Sequence, residues 1–158
     1  MLKVQKLHED AIIPTKKEED AGFDIYPAFD EEELAIQPLE TVMIPTGIAT
    51  AFDIGKVALL RERGSTGTLA MSLKAGVVDS GYRGEWFIAI NNTSRKIIVI
   101  SKEVSSPFES GEYQFYPYRK AIAQFSLIDA YHAEAEEVED ITQFDSERGE
   151  AMLGASGK

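Results

Sequence analysis

Residues 75–86 read Ala-Gly-Val-Val-Asp-Ser-Gly-Tyr-Arg-Gly-Glu-Trp, and how this stretch turns decides the fold. Asp79 and Tyr82 are joined by Ser80-Gly81, with Gly76-Val77-Val78 on one side and Trp86-Phe87-Ile88-Ala89-Ile90 on the other. Gly and Ser between β-branched and aromatic runs predict a tight β-hairpin turn. A carboxylate and a ring at the mouth of such a hairpin could activate a water and stack on a planar ligand. The same residues also suit a surface turn whose Asp caps its own backbone. On this segment alone both readings stand.

Working outward, short apolar runs recur between turn residues: 41–44, 47–52, 57–60, 87–90, 97–100 and 121–128. Runs of this length, rich in β-branched residues, predict an all-β sandwich or barrel. Met1-Leu2-Lys3-Val4-Gln5-Lys6-Leu7 alternates like a first strand and lacks the apolar core of a signal peptide. One stretch, Gly67-Thr68-Leu69-Ala70-Met71-Ser72-Leu73, suits a short helix. Asp30-Glu31-Glu32-Glu33 is expected to be the solvated tip of a hairpin. Residues 101–118, with Ser105-Ser106-Pro107, Ser110-Gly111 and five aromatic rings, are expected to form a long connection. From Glu134 the chain turns acidic and ends in small residues, so an arm at about 146–158 is expected to be mobile without ligand.

The 158 residues, 44% hydrophobic and 27% charged, suit a single domain spanning 1–158. No apolar run approaches the roughly 20 residues of a membrane helix. The chain has no cysteine, which excludes disulfides and thiolate metal sites and fits a cytoplasmic setting. Its net charge of −11 repels a nucleic-acid backbone, so direct nucleic-acid binding is not expected. Cations do recur, at Arg61, Arg63, Arg83, Arg119, Lys120 and Arg148, with Arg63, Arg83 and Arg148 each followed by Gly, which leaves room for a small anionic ligand.

Three further segments bear on chemistry. Arg63-Gly64-Ser65-Thr66-Gly67 offers exposed backbone N–H groups and a guanidinium to an anion; the plainer reading is a capped loop in which Arg63 pairs with an acid. Ala21-Gly22-Phe23-Asp24 sets an acid among apolar neighbours, where it could orient an arginine or start a strand. Arg148-Gly149, followed by Gly154-Ala155-Ser156-Gly157, makes a phosphate-friendly tail or plain disorder. His8 and His132 fit no pattern and are expected at the surface.

Order along the chain makes these pieces specific. Ala-Gly-x-Asp, then Arg-x-Ser, Gly-Val-Val-Asp-x-x-Tyr-Arg-Gly, Ile-Ala-Gln and a C-terminal Arg-Gly with a Gly/Ser tail resemble the five motifs of the trimeric dUTPase family, the dUTP nucleotidohydrolases. The resemblance runs from about residue 21 to the end, and its third motif is the most specific. It implies a distorted jelly-roll-like all-β fold with a C-terminal arm, and a homotrimer with active sites shared between subunits. It also implies hydrolysis of dUTP to dUMP and pyrophosphate by water attack on the α-phosphorus.

On this resemblance Gly76, Val77 and Val78 begin the hairpin whose backbone pairs with uracil. Tyr82 packs on the deoxyribose, and Asp79 holds the 3′-hydroxyl and orients the water as general base. Arg63, Gly64, Ser65 and Gln124 bind phosphates, Asp24 is the first-motif orienting acid, and Arg148 clamps the terminal phosphate. Leu153 covers the base, and Ser156 belongs to the phosphate-binding tail. Mg²⁺ is implied as cofactor, held by triphosphate and water with no protein ligand.

Departures from the pattern are local. Gly64 stands where a serine is usual, and Ala121 where a basic residue precedes Ile-Ala-Gln, with Arg119 and Lys120 nearby but out of register. Ala151-Met152-Leu153-Gly154 replaces the usual aromatic, losing a stacking contribution of about 1 kcal/mol. The segment 101–118 is longer than in the simplest members, which suggests a phage-like or otherwise specialised protein and a possible partner-binding loop. The alternatives are a nucleotide-binding regulatory protein with reduced turnover, a dCTP deaminase-like enzyme, and a structural jelly roll without ligand.

Overall fold

The computed structural model describes residues 1–150. Short β-branched and aromatic runs bury one face only by pairing into sheets, and the described residues do so in thirteen strands. β2 (Phe23–Ile25), β13 (Ala123–Asp129), β6 (Lys56–Arg61) and β8 (Val77–Asp79) form one sheet in that order. A second runs β11 (Phe108–Ser110), β12 (Tyr113–Pro117), β10 (Ile97–Ser101), β3 (Glu33–Ile36). A third joins β4 (Thr41–Pro45), β9 (Phe87–Asn92) and β7 (Met71–Lys74), while β1 (Lys3–Lys6) pairs with β5 (Ile48–Ala51). Among the described residues the one α-helix, α1 (Gly64–Gly67), is a single turn.

The three larger sheets share one buried core. The first gives it Ile25, Leu60 and Phe125, the second Ile36, Ile98, Ile100 and Tyr116, and the third Ile44, Met71, Ile88 and Ile90. Each such side chain contributes about 1.5–3 kcal/mol when fully buried. The architecture is the all-β, jelly-roll-like one expected, and no helix of the described residues is long and apolar enough to cross a membrane.

Five local expectations are corrected. The runs either side of Asp79–Tyr82 do not pair with each other: β8 pairs with β6, and β9 with β4 and β7. Tyr82 N–H donates to Asp79 O at 3.1 Å, so the turn exists, but the chain leaves it for another sheet. Trp86 causes this: its ring sits 1% exposed against Phe125, and burying an indole outweighs extending a hairpin. The helix lies at Gly64–Gly67 rather than 67–73, because Thr66 Oγ1 accepts Arg63 N–H at 3.0 Å and Ala70, at φ 59°, ends the turn. Met71 is then fully buried in β7.

Residues 101–118 are not an open connection but carry the β11–β12 hairpin, with β12 parallel to β10. Stacking of Phe108 on Phe115, centroids 4.7 Å apart, holds the hairpin. Asp30–Glu33 is exposed as expected but tips no hairpin, since β2 and β3 belong to different sheets. His8 is also not a plain surface residue: its Nε2 lies 2.9 Å from Asp30 Oδ1 and its Nδ1 accepts Asp10 N–H.

Candidate active site

The third motif builds one end of the β2-β13-β6-β8 sheet. Asp79 closes β8 opposite Val57, exposed to solvent. Tyr82 is 47% exposed, and its hydroxyl donates to Glu85 O at 2.9 Å, which sets the ring beside a cavity of about 230 Å³ lined by Met43, Val77, Val78, Asp79, Trp86 and Phe87. Glu85 is fixed in turn, its Oε1 accepting Gly47 N–H at 2.8 Å. Gly76 permits this end to form: a Cβ there would stand 2.8 Å from Leu60 O. The result is a small, largely apolar recess with a carboxylate at its edge, which suits a flat base with a sugar beyond it.

The opposite end of the same sheet gathers charge. Arg63 Nε donates to Asp24 Oδ1 at 2.7 Å, with both side chains partly buried. Arg63 Nη1 and Tyr116 Oη each lie 3.4 Å from Ser65 Oγ. Tyr116 donates to Ala121 O at 2.7 Å, and burial holds its hydroxyl above its usual pKa, so it remains a donor. Gln124 faces Asp24 on β2 and Arg61 on β6, and its Nε2 donates to Glu62 O at 2.9 Å. Gly22 allows the packing, since a Cβ there would meet Gln124 Oε1 at 2.6 Å. Gly64 is under no such constraint, with nothing within 4 Å of a built Cβ.

Beside this cluster lies a cavity of about 670 Å³ lined by Asp24, Arg63, Lys102, Arg119, Lys120 and Ala121. Asp10 organises its rim, accepting Arg119 Nη2 at 2.7 Å and Tyr118 Oη at 3.1 Å. Hydrogen bonding to Arg119 holds the Asp10 carboxyl below its usual range. Among the described residues no three His, Asp or Glu side chains converge on a metal position.

The sequence-predicted residues thus fall into two groups. Arg63, Ser65, Asp24 and Gln124 come together; Gly76, Val77, Val78, Asp79 and Tyr82 come together elsewhere. Asp79 faces Val57 while Gln124 faces Arg61, about 13 Å further along β6. Asp24 lies three strands across the sheet from Asp79, which puts the two acids roughly 20 Å apart. Arg148 lies exposed on the segment beyond β13, and Leu153 and Ser156 lie outside the described residues. Sequence reading missed Tyr116, Glu62, Glu85 and Trp86. A polar-tipped ring and backbone carbonyls carry no motif of their own, and only pairing across the sheets shows what they hold.

Comparison with known proteins identifies the family. The family model described as dUTPase matches residues 8–104. The deoxyuridine 5'-triphosphate nucleotidohydrolase of Nautilia profundicola is 31% identical, with 99% of each chain covered. The dUTPase of Staphylococcus bacteriophage 80alpha, in its structure with dUPNHPP, superposes with a TM-score of 0.80 at 27% identity, over 100% of this chain and 99% of that one. A mutant dUTPase from phage phi11 of S. aureus, whose structure shows the coordination of a structural Mg(II) ion, has a TM-score of 0.71 at 25% identity over 89% and 98%. The order of the motifs, the jelly-roll-like sheets and these matches together show that the chain belongs to the dUTPase family.

Proposed function

We propose that this protein hydrolyses dUTP to dUMP and pyrophosphate. The single observation that carries the reading is the pairing on one sheet of a carboxylate-edged apolar recess with a cluster of Arg63, Ser65 and Gln124 suited to phosphates. In this reading the β8 backbone from Gly76 to Val78 recognises uracil, and Tyr82 packs on the deoxyribose. Asp79 orients the attacking water, for which it needs hydrogen-bond reach of about 2.6–3.2 Å. Arg63, Ser65, Gln124 and the Gly64 N–H hold the phosphates, with Asp24 fixing the guanidinium. Positive groups aimed at the transferring charge supply the transition-state stabilisation. Mg²⁺, carried by triphosphate and water, would neutralise part of the remaining charge.

The roughly 20 Å between the two clusters supports a site completed between copies of the chain. The phosphates are bonded in a row, so groups serving the reacting phosphorus cannot stand at both ends of β6 in one subunit. A homotrimer with shared sites meets this requirement, and Arg148, Leu153 and Ser156 would close over the nucleotide from the C-terminal arm. Hydrolysis of dUTP limits uracil in DNA and supplies dUMP, work done in the cytoplasm.

One observation favours a second reading. The phage 80alpha dUTPase, with its TM-score of 0.80 to this chain, is described as controlling transfer of virulence genes by a proto-oncogenic G protein-like mechanism. A nucleotide-bound form of this protein would then dock a protein partner, with the exposed rings of Phe108 and Tyr113 on 101–118 as the contact. Pyrophosphate release from dUTP, dTTP, dCTP and UTP with Mg²⁺ separates the readings. Release confined to dUTP and lost in Asp79→Asn supports the hydrolase. Tight dUTP binding with no release supports the regulator.

A further inference from the structure

Four cationic side chains line the 670 Å³ cavity beside the phosphate cluster, and three of them are already engaged. Arg63 donates to Asp24 and Arg119 to Asp10, each at 2.7 Å. Lys102 donates to Asp30 O at 2.9 Å and lies 3.9 Å from Asp10 Oδ2. Lys120 differs. Among the described residues no carboxylate stands within 4.0 Å of its ammonium, which lies 5.6 Å from the centroid of the Tyr116 ring.

Lys120 is half-buried and lines the cavity with no counter-ion in reach among the described residues. A ring face attracts a cation but leaves its N–H donors unused. The ring beneath it belongs to Tyr116, whose hydroxyl lies 3.4 Å from Ser65 Oγ, so that one ring links Lys120 to the Gly64–Gly67 turn. Ala121, next in sequence, is 2% exposed, and its carbonyl is taken by Tyr116.

Resting on the dUTP reading above, we infer that Lys120 is a binding residue for the phosphates beyond the one retained in dUMP, acting beside Arg63. The incoming triphosphate is the counter-ion that the fold leaves out. Because Lys120 comes three residues after β12 ends at Pro117, the strand that sequence reading missed is also the one that brings this cation to the site.

The test measures dUTP and dUMP affinity by calorimetry with Mg²⁺ in an Asp79→Asn background, which removes turnover. Lys120→Met keeps the apolar stem over Tyr116 and deletes the charge. Lys120→Gln serves as a second variant should the Met protein fail to fold. The expected result is a dUTP affinity lowered roughly ten- to hundred-fold, the size of a lost charge-assisted hydrogen bond, with dUMP affinity within about twofold. Lys120→Arg is expected to restore most of it, and the salt dependence of dUTP binding should flatten in the neutral variants. Unchanged dUTP affinity, or equal losses for dUTP and dUMP, would overturn the inference and leave a structural lysine. A parent protein that binds no dUTP at all would overturn the dUTP reading itself, an outcome distinct from the other two.

Discussion

Gly76 and Gly22 show what single positions contribute. At Gly76 a methyl would stand 2.8 Å from Leu60 O and 3.1 Å from Leu73 Cδ2, and Leu60 N–H donates back to Gly76 O at 2.8 Å. Gly76→Ala is therefore expected to push β8 off β6 and cost about 1–3 kcal/mol, read as a lower urea midpoint. At Gly22 the obstacle is Gln124 Oε1, which explains physically why a small residue precedes Asp24. That reason was hidden in the sequence, because Gln124 lies on the last strand. Asp24 itself was legible as an acid that could orient an arginine, and Arg63 Nε stands 2.7 Å from it. Asp24→Asn leaves that guanidinium without its anchoring charge. In steady-state kinetics it should raise KM for dUTP about tenfold, and an unchanged KM would remove Asp24 from the site.

At the scale of elements, the long buried strands were readable because β-branched residues announce them. Ile97–Ser101 in β10 and Ala123–Asp129 in β13 match apolar runs seen in the chain. β11 and β12 were not readable. β11 is exposed throughout, and β12 ends in Pro117 and mixes polar with aromatic residues. Its parallel partner β10 supplies the reason it is a strand at all. The segment joining β12 to β13 is held by Asp10, which binds Arg119 and Tyr118 from more than a hundred residues away in sequence. Because hydrogen bonding to Arg119 depresses the Asp10 pKa below the usual 3.8, its stabilisation is present above that value and is lost as pH falls through the depressed one. The urea midpoint of Asp10→Asn should lie below that of wild type at pH 7 and 5, with the gap shrinking as pH is taken below 3.8. A gap that stays constant however far the pH falls below 3.8 would show that the carboxylate charge is not what holds the segment.

For the whole molecule, the sequence lined up motifs in order but could not say that one sheet would carry them at opposite ends. Nothing in the spacing of Arg63 and Asp79 shows that β6 runs between them, with Asp79 against Val57 and Gln124 against Arg61. That separation, roughly 20 Å between Asp79 and Asp24, makes the central claim testable: the recess of one copy must meet the phosphate cluster of another. The most direct measurement is dUTP hydrolysis by Asp79→Asn and Arg63→Ala proteins, each assayed alone and then co-expressed as a mixed assembly. Alone, each should be nearly inactive, since every site lacks one half. Mixed, activity should return to a sizeable fraction of wild type, because an intact Asp79 from one copy faces an intact Arg63 from the other. A mixture no more active than its parts would contradict a site built between subunits.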